Sequence, residues 1–314
     1  MKTKWNQTGR SLTFFNRRPP RSNLLHLLLL FSLLILFPAC LVSSCSRDNP
    51  EGSGGLDAVE VDLDSSRFTV RLRVLDNIAD DAPEIKSLDI LMFDSDGMKN
   101  LLAKRRYETV PDSIVFYGKG SGRIVVAVAN APGGLKHNEL ERFDGAEQLR
   151  FAFVEDNPLA PVMGGSCTLE AGCTGSLTLT PLLARVRLGE VSNKMKGYVR
   201  MENPRLFLEN LNPDAEVLRE GGFRPSSIIE AGAKTSLPYD IGVFAQHPET
   251  EVFCYPNDSQ QTSVGTPPTR VVLECEIGER TKQFRVELPA VRRNTTTTVD
   301  FLVWSDSDFE GKVY

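Results

Sequence analysis

From Arg67 to Val74 the chain alternates without a break: Phe68, Val70, Leu72 and Val74 take one face, and Arg67, Thr69, Arg71 and Arg73 the other. A period of two is the mark of a strand with one buried face. Short β-branched runs set apart by Gly, Pro, Asn and Ser recur along the sequence, and helical periodicity is nearly absent. The pattern predicts strands at Phe68–Leu75, Ile85–Phe93, Ser113–Tyr117, Arg123–Asn130 and Ser176–Thr180 in the first half. In the second half it predicts Ala184–Val191, Arg205–Leu211, Val252–Tyr255, Arg270–Ile277, Gln283–Leu288 and Thr297–Val303. Within Arg270–Ile277 the alternation puts Val271, Leu273, Cys275 and Ile277 inside, and Val272, Glu274 and Glu276 outside. Truncating Leu273 should then be costly and truncating Glu274 cheap. Two short helices fit at Asn138–Phe143 and Ala146–Phe151. The expected fold is all-β, built from tandem β-sandwiches with a few short helices.

One apolar run departs from this pattern. Leu24–Phe37 is interrupted only by His26 and Ser32, and it follows a segment with six Lys or Arg and no acid. That is the layout of a signal peptide. As a helix its 14 residues would span only about 21 Å, short of the roughly 30 Å hydrocarbon core. Val42-Ser43-Ser44-Cys45 resembles the lipobox of bacterial lipoproteins, in which an aliphatic residue and two small ones precede the lipidated cysteine. Cys40 competes less well, because Phe37-Pro38-Ala39 places a ring and a proline where that motif wants Leu and a small residue. The bland reading is that both cysteines are small apolar residues ending a signal peptide. Residues 1–44 are thus expected to be a lipoprotein signal peptide and 45–58 a flexible tether, Gly-rich and polar. Cys45 would hold the chain to the outer membrane through its lipid.

Loss of the first 44 residues leaves 30 basic against 41 acidic side chains, a net charge of −11. Such a surface does not suit nucleic acid, whose phosphates reward a basic face. About 270 residues exceed what one core usually serves, and the expected domains are 59–181 and 182–314, divided near Pro181. The order RFTVRLRV then KSLDILMFD is faintly repeated by ARVRLGEV then PRLFLENLN; a shared topology or chance likeness among strands would each account for it.

Few constellations point to chemistry. Gly118-Lys119-Gly120-Ser121-Gly122-Arg123 is the one notable Gly-rich loop, but it runs into a strand rather than the helix a phosphate loop needs, so it reads as a hairpin turn. Asp94-Ser95-Asp96-Gly97 lacks the Gly and Glu that a calcium loop requires at its sixth and twelfth places, and Asp-Gly signals a turn between strands. His137 and His247 lie in polar loops without zinc-like spacing. Cys167 and Cys173 flank the five residues TLEAG, which could close a small disulfide loop in an oxidising envelope. Cys254 and Cys275, in predicted strands, could be bridged or simply buried. No catalytic residue, metal site or cofactor is expected.

Four stretches resemble the fimbrillin superfamily, two-domain pilin-like lipoproteins of Gram-negative anaerobes. They are Ile85–Asp94 with Asp96-Gly97; Arg123–Asn130, RIVVAVAN; Pro161–Gly165 followed by Leu177–Leu188; and the late set of Tyr255-Pro256-Asn257, Pro268–Glu274 and Leu288–Asn294, LPAVRRN. Each is loose, and their order and spacing carry the likeness. The resemblance implies two transthyretin-like, Ig-like sandwiches and a role in fimbriae at the cell surface, with other fimbrial subunits as partners. Stalk subunits of that family lose their first strand to an Arg-directed protease and accept a strand from the next subunit by β-strand addition; anchor subunits keep both strand and lipid. Here the linker Asp76–Glu84, DNIADDAPE, holds no Arg or Lys, which favours an anchor or accessory subunit. The alternative is a glycan-binding surface lipoprotein, recognisable by exposed Trp or Tyr platforms.

Overall fold

The computed structural model describes residues 65–78, 83–135, 140–260 and 265–314. The first half carries β1 (Ser66–Val74), β2 (Leu88–Asp94), β3 (Leu101–Tyr107), β4 (Ser113–Gly118) and β5 (Gly122–Ala129). Helix α1 (Phe143–Glu147), β6 (Arg150–Ala152), β7 (Met163–Glu170) and β8 (Thr174–Pro181) come next. Seven of these strands run in the order β3-β2-β5-β7-β8-β1-β4. Strands β7 and β8 share only the pairs Met163–Pro181 and Gly164–Thr180. The sheet folds over at that seam. Gly165 allows it, since a Cβ there would lie 1.9 Å from the Thr178 carbonyl oxygen; a Cβ on Gly164 would instead lie 2.5 Å from a Val217 methyl. Phe68, Val70, Phe116 and Leu177 from one layer meet Leu88, Ile90, Val125 and Ala127 from the other in a closed core.

The second half adds β9 (Ala184–Asn193), β10 (Glu202–Leu211), β11 (Asp214–Glu216), β12 (Ile229–Ala231), β13 (Thr235–Ser236) and β14 (Glu251–Cys254). It ends with β15 (Arg270–Ile277), β16 (Arg280–Glu287), β17 (Thr296–Val303) and β18 (Phe309–Val313). One layer runs β12-β10-β15-β16, the other β14-β9-β17-β18, and Val186, Leu206, Leu273, Phe284 and Phe301 fill the space between them.

The two halves share one strand order. Strand β1 lies between β8, parallel, and β4, antiparallel; β9 lies between β17, parallel, and β14, antiparallel. The opposing layers, β3-β2-β5-β7 and β12-β10-β15-β16, match in the same way. The faint repetition in sequence falls on the paired equivalents β1–β2 and β9–β10. The expected division at Pro181 falls where β8 ends, just before Leu182 and Leu183, both fully buried.

A third core joins residues of both halves. Leu91, Phe93, Val126 and Val128 on the outer face of β2 and β5 pack with α1 and with Leu182, Val217, Phe223 and Tyr255. Phe93 meets Phe143 edge-on, with ring centroids 5.6 Å apart. Strand β2 is therefore buried on both sides, which explains why LDILMF does not alternate.

Several expectations need correction. The described α-helix spans Phe143–Glu147, overlapping the end of the first helix expected and the start of the second; Asn138 and Glu139 lie outside the described residues, and Arg150–Ala152 is a strand paired with β11. Strands β3, β6, β7, β11, β12, β13 and β18 lie outside the expected set. The Gly-rich turn is not a hairpin, since β4 pairs with β1 and β5 with β2 and β7; it crosses between layers. It also wraps the buried Arg123 guanidinium, which donates to the carbonyls of Lys119 and Gly122 and sits about 3 Å from where side chains on Gly118 and Gly120 would begin.

The register of β15 holds on its inner side, but Val272 and Glu274 are buried as well. The Lys234 ammonium donates to both Glu274 oxygens at 2.7 Å, and the Gln283 amide donates at 2.6 Å. Burial alone would raise the Glu274 pKa; these hydrogen bonds outweigh it and hold the carboxyl below its ordinary value. Glu274→Ala should therefore cost about 1–3 kcal/mol, the worth of the hydrogen bonds to a charged group that go with the carboxylate. Urea unfolding of this variant beside Leu273→Ala checks it, and a loss under about 0.5 kcal/mol would return Glu274 to the surface class.

Candidate functional site

An assembly role would centre on β1, because a groove that already holds its own strand has no room for another. The strand is held on both sides by backbone ladders, Ser66–Arg71 against β4 and Thr69–Val74 against β8. Phe68 and Val70 are fully buried, Leu72 is half-buried, and Val74 is 43% exposed. The intended inner face thus closes tightly at the start of the strand and opens toward its end. Above Phe68 lies the Arg123 guanidinium, 5.0 Å from the ring centroid. Arg123 reaches Asp94 at 3.4 Å, and its Nε is buried with no hydrogen-bond partner.

The linker after β1 is pinned at both ends. Leu75 donates to the Leu179 carbonyl at 2.9 Å. Asn294 Nδ2 donates to the Leu75 carbonyl at 3.0 Å, and Asn294 Oδ1 accepts from the Asn77 amide at 2.8 Å. Thr296 Oγ1 donates to the Asn77 carbonyl at 3.3 Å, and Ile78 is buried with its amide on Asp76 Oδ1. At the far end Asn130 donates to the carbonyls of Glu84 and Pro161 and accepts from the Lys86 amide at 2.8 Å. Both asparagines sit in the left-handed region, φ 57° at Asn130 and 55° at Asn294, a conformation that Asn tolerates better than most residues. The RIVVAVAN and LPAVRRN stretches thus each end in a residue that grips the linker. Residues 79–82 lie outside the described residues.

Beside Asn294, Arg293 is buried to 5% exposure and faces carbonyls alone. Its guanidinium donates to Thr180 at 2.5 Å, Val217 at 2.7 Å, Arg219 at 2.9 Å and Pro181 at 3.2 Å. Burial lowers its pKa, with Glu220 opposing. One side chain thereby joins the end of β8, the segment after β11 and the entry to β17. The sequence presents the Arg-Asn pair as a turn motif and does not reveal this clasp; the signal available is an Arg in an otherwise apolar run, LPAVRR.

The other candidate residues are dispersed. Cys40, Cys45, the leader and the tether lie outside the described residues, as does His137. His247 is exposed, with Nε2 4.0 Å from Glu190. Among the described residues no group of three His, Cys, Asp or Glu converges as a metal site, and no described helix is long and apolar enough to cross a membrane. Cys167, Cys254 and Cys275 are free thiols. Cys254 and Cys275 stand on opposite layers, in β14 and β15, and burial pushes both up to about 12; Cys167 is pushed to about 11 by burial in the same way. Thiols so far above neutral pH are poor nucleophiles.

No family model and no curated protein sequence matches the chain. Solved structures do match its fold. A provisionally assigned cell adhesion protein of Parabacteroides distasonis superposes with a TM-score of 0.57 at 11% identity, over 78% of this chain and 90% of that one. A fimbrial assembly protein of the same species gives 0.50 at 15% identity, over 79% and 95%. The tip fimbrial protein Mfa3 of Porphyromonas gingivalis, truncated at its C-terminus, gives 0.53 at 14% identity, over 80% and 98%. The chain has the all-β fold of these fimbrial and adhesion proteins.

Proposed function

We propose that the chain is a lipid-anchored fimbrial subunit of the anchor or accessory kind, held in the outer membrane through Cys45 and joined to other subunits by β-strand addition. The observation that carries this reading is the pinned first strand. A stalk subunit must lose that strand to open its groove, yet here Asn294, Thr296 and Asn130 fasten the linker from both sides. The basic residues just before the linker, Arg67, Arg71 and Arg73, lie within β1 itself. Affinity for a partner would then come from an open strand edge, where backbone hydrogen bonds add a strand from the neighbour. The shared fold with a fimbrial assembly protein and a tip fimbrial protein supports the same assignment. The role is one of binding, with no catalytic step.

Mass spectrometry of the protein from native envelopes tests this. The expected species is one piece beginning at an acylated Cys45 and running to Tyr314, and Cys45→Ala should release or stall it. A dominant fragment beginning at Phe68, Leu72 or Val74, just after an Arg, would mean that β1 is removed and that the subunit polymerises.

A further inference from the structure

The outer face of the β9-β17-β18 layer holds a shallow cleft of about 300 Å³ that the assembly reading does not use. We infer that this cleft is a binding site for a neutral oligosaccharide, stacked between Trp304 and Tyr314. The cleft includes no residue of β1.

Register places the residues. Ser192 on β9 stands opposite Leu302 on β17, which stands opposite Glu310 on β18; one step along, Asp300 stands opposite Lys312. Phe309 packs inward against Phe284, and Gly311 packs against Val286. Glu310, Lys312 and Tyr314 therefore share the outward side. Trp304 follows β17 directly, with its amide donating to the Asp308 carbonyl at 2.9 Å, and is 40% exposed. Tyr314 closes the opposite end, its backbone paired to Thr298, with its ring 62% exposed and the Lys312 ammonium 4.8 Å from the centroid. Six residues separate Thr298, paired to Tyr314, from Trp304, so the two aromatic positions flank the cleft with backbones about 20 Å apart along the face.

Between the rings the lining alternates acceptors and donors: Glu190, Asp300 and Glu310 against Lys194 and Lys312, with the Ser192 hydroxyl among them. Two of the acids are already oriented. Asp300 Oδ1 accepts from the Glu190 amide at 2.8 Å, and Glu190 accepts from Ser192 Oγ at 2.6 Å. Three carboxylates and two ammonium groups leave the cleft slightly acidic, which disfavours a polyanion. Of the two apolar residues on the floor, Phe301 is turned into the core and Leu302 alone is half-exposed, too little for the apolar centre of a protein interface. A sugar chain fits what remains. Each hydroxyl can donate to a carboxylate and accept from a lysine in charge-assisted bonds, while the apolar C–H faces of the rings lie on Trp and Tyr.

Calorimetric titration of the protein with maltohexaose, cellohexaose, laminarihexaose and mannohexaose, and with a hyaluronan hexasaccharide as the anionic control, decides it. At least one neutral hexasaccharide should bind, and Trp304→Ala and Tyr314→Ala should each weaken it about tenfold or more. Glu310→Gln and Lys312→Gln, on the solvent side of an edge strand, should weaken binding without lowering the melting temperature, so a folding defect cannot imitate the result. Phe244→Ala, an 80% exposed ring on another loop, should leave affinity unchanged. The inference falls if none of the four neutral probes binds at millimolar concentration, if binding survives loss of both rings, or if only hyaluronan binds. None of these outcomes bears on whether β1 is retained.

Discussion

Arg293→Ala should destabilise the protein by on the order of 4 kcal/mol, roughly a 10 °C fall in melting temperature for a fold of this size. The reasoning starts from the partners. Four carbonyls, those of Thr180, Pro181, Val217 and Arg219, converge on one guanidinium that is 5% exposed. Bonds to a charged donor are worth more than neutral ones, and buried carbonyls left behind keep their desolvation cost. Water admitted to the space would recover part of the loss, so the expected value is well below the sum of four bonds. Arg293→Lys should recover about half, because an ammonium cannot reach carbonyls spread across a planar fork. Arg293→Met restores the volume but none of the bonds and should behave like alanine. Equal stability of the Met variant and the native protein would show that packing, rather than the hydrogen bonds, is what Arg293 supplies. The effect should also spread. Asn294 is the next residue and holds Leu75 and Asn77, so exchange of the amide protons of β1 should quicken in Arg293→Ala.

How much of this is legible in the sequence depends on what surrounds each strand. Strands with one wet face, such as β1 and β16, announce themselves by alternation. Strand β2 is legible through its β-branched and aromatic content, since both of its faces are covered. Strand β3, LLAKRRY, escapes detection because it is an edge strand whose basic side chains are spent on neighbours: Arg106 reaches the buried Asp89 at 2.8 Å, and Arg105 lies 4.7 Å over Phe116. Strand β7, MGGSCTLE, carries two glycines that read as a loop; in fact Gly165 permits the close approach to β8 and Gly164 the approach of Val217. Strand β18, FEGKV, is short with a glycine at its centre, and its pairing with β17 and docking on Phe284 and Val286 make it a strand. Glu274 is misplaced by the pattern for a related reason. Alternation reports which side of a strand faces the main core, and it is blind to a side chain such as Lys234 arriving from elsewhere to cover the other side. The candidate site is visible as motifs, RIVVAVAN and LPAVRRN, but the contacts of Asn130 and Asn294 span tens to hundreds of residues in sequence and belong to tertiary structure alone.

Phe68→Ala should cost about 3–5 kcal/mol, the usual range for deleting a buried aromatic ring. Phe68 is fully buried in the first core, on the strand whose retention separates an anchor from a stalk subunit. Leu72→Ala, further along the same face of the strand, should cost visibly less because Leu72 is only half-buried. Such a gradient would mean that β1 is gripped at its start by packing and at its end by the Asn294 clasp. Phe68 also carries the Arg123 guanidinium over its ring, and both side chains are buried. Removing the ring should therefore weaken Arg123 as well, and a double-mutant cycle of Phe68→Ala with Arg123→Met should show about 1–2 kcal/mol of coupling. Strictly additive losses would break the link between the Gly-rich crossover and the first strand, leaving Arg123 as a fastener of its own loop. Coupling of the expected size would make residues 118–123 part of what keeps β1 in its groove, since releasing the strand would then also expose a cation that the fold has taken out of water.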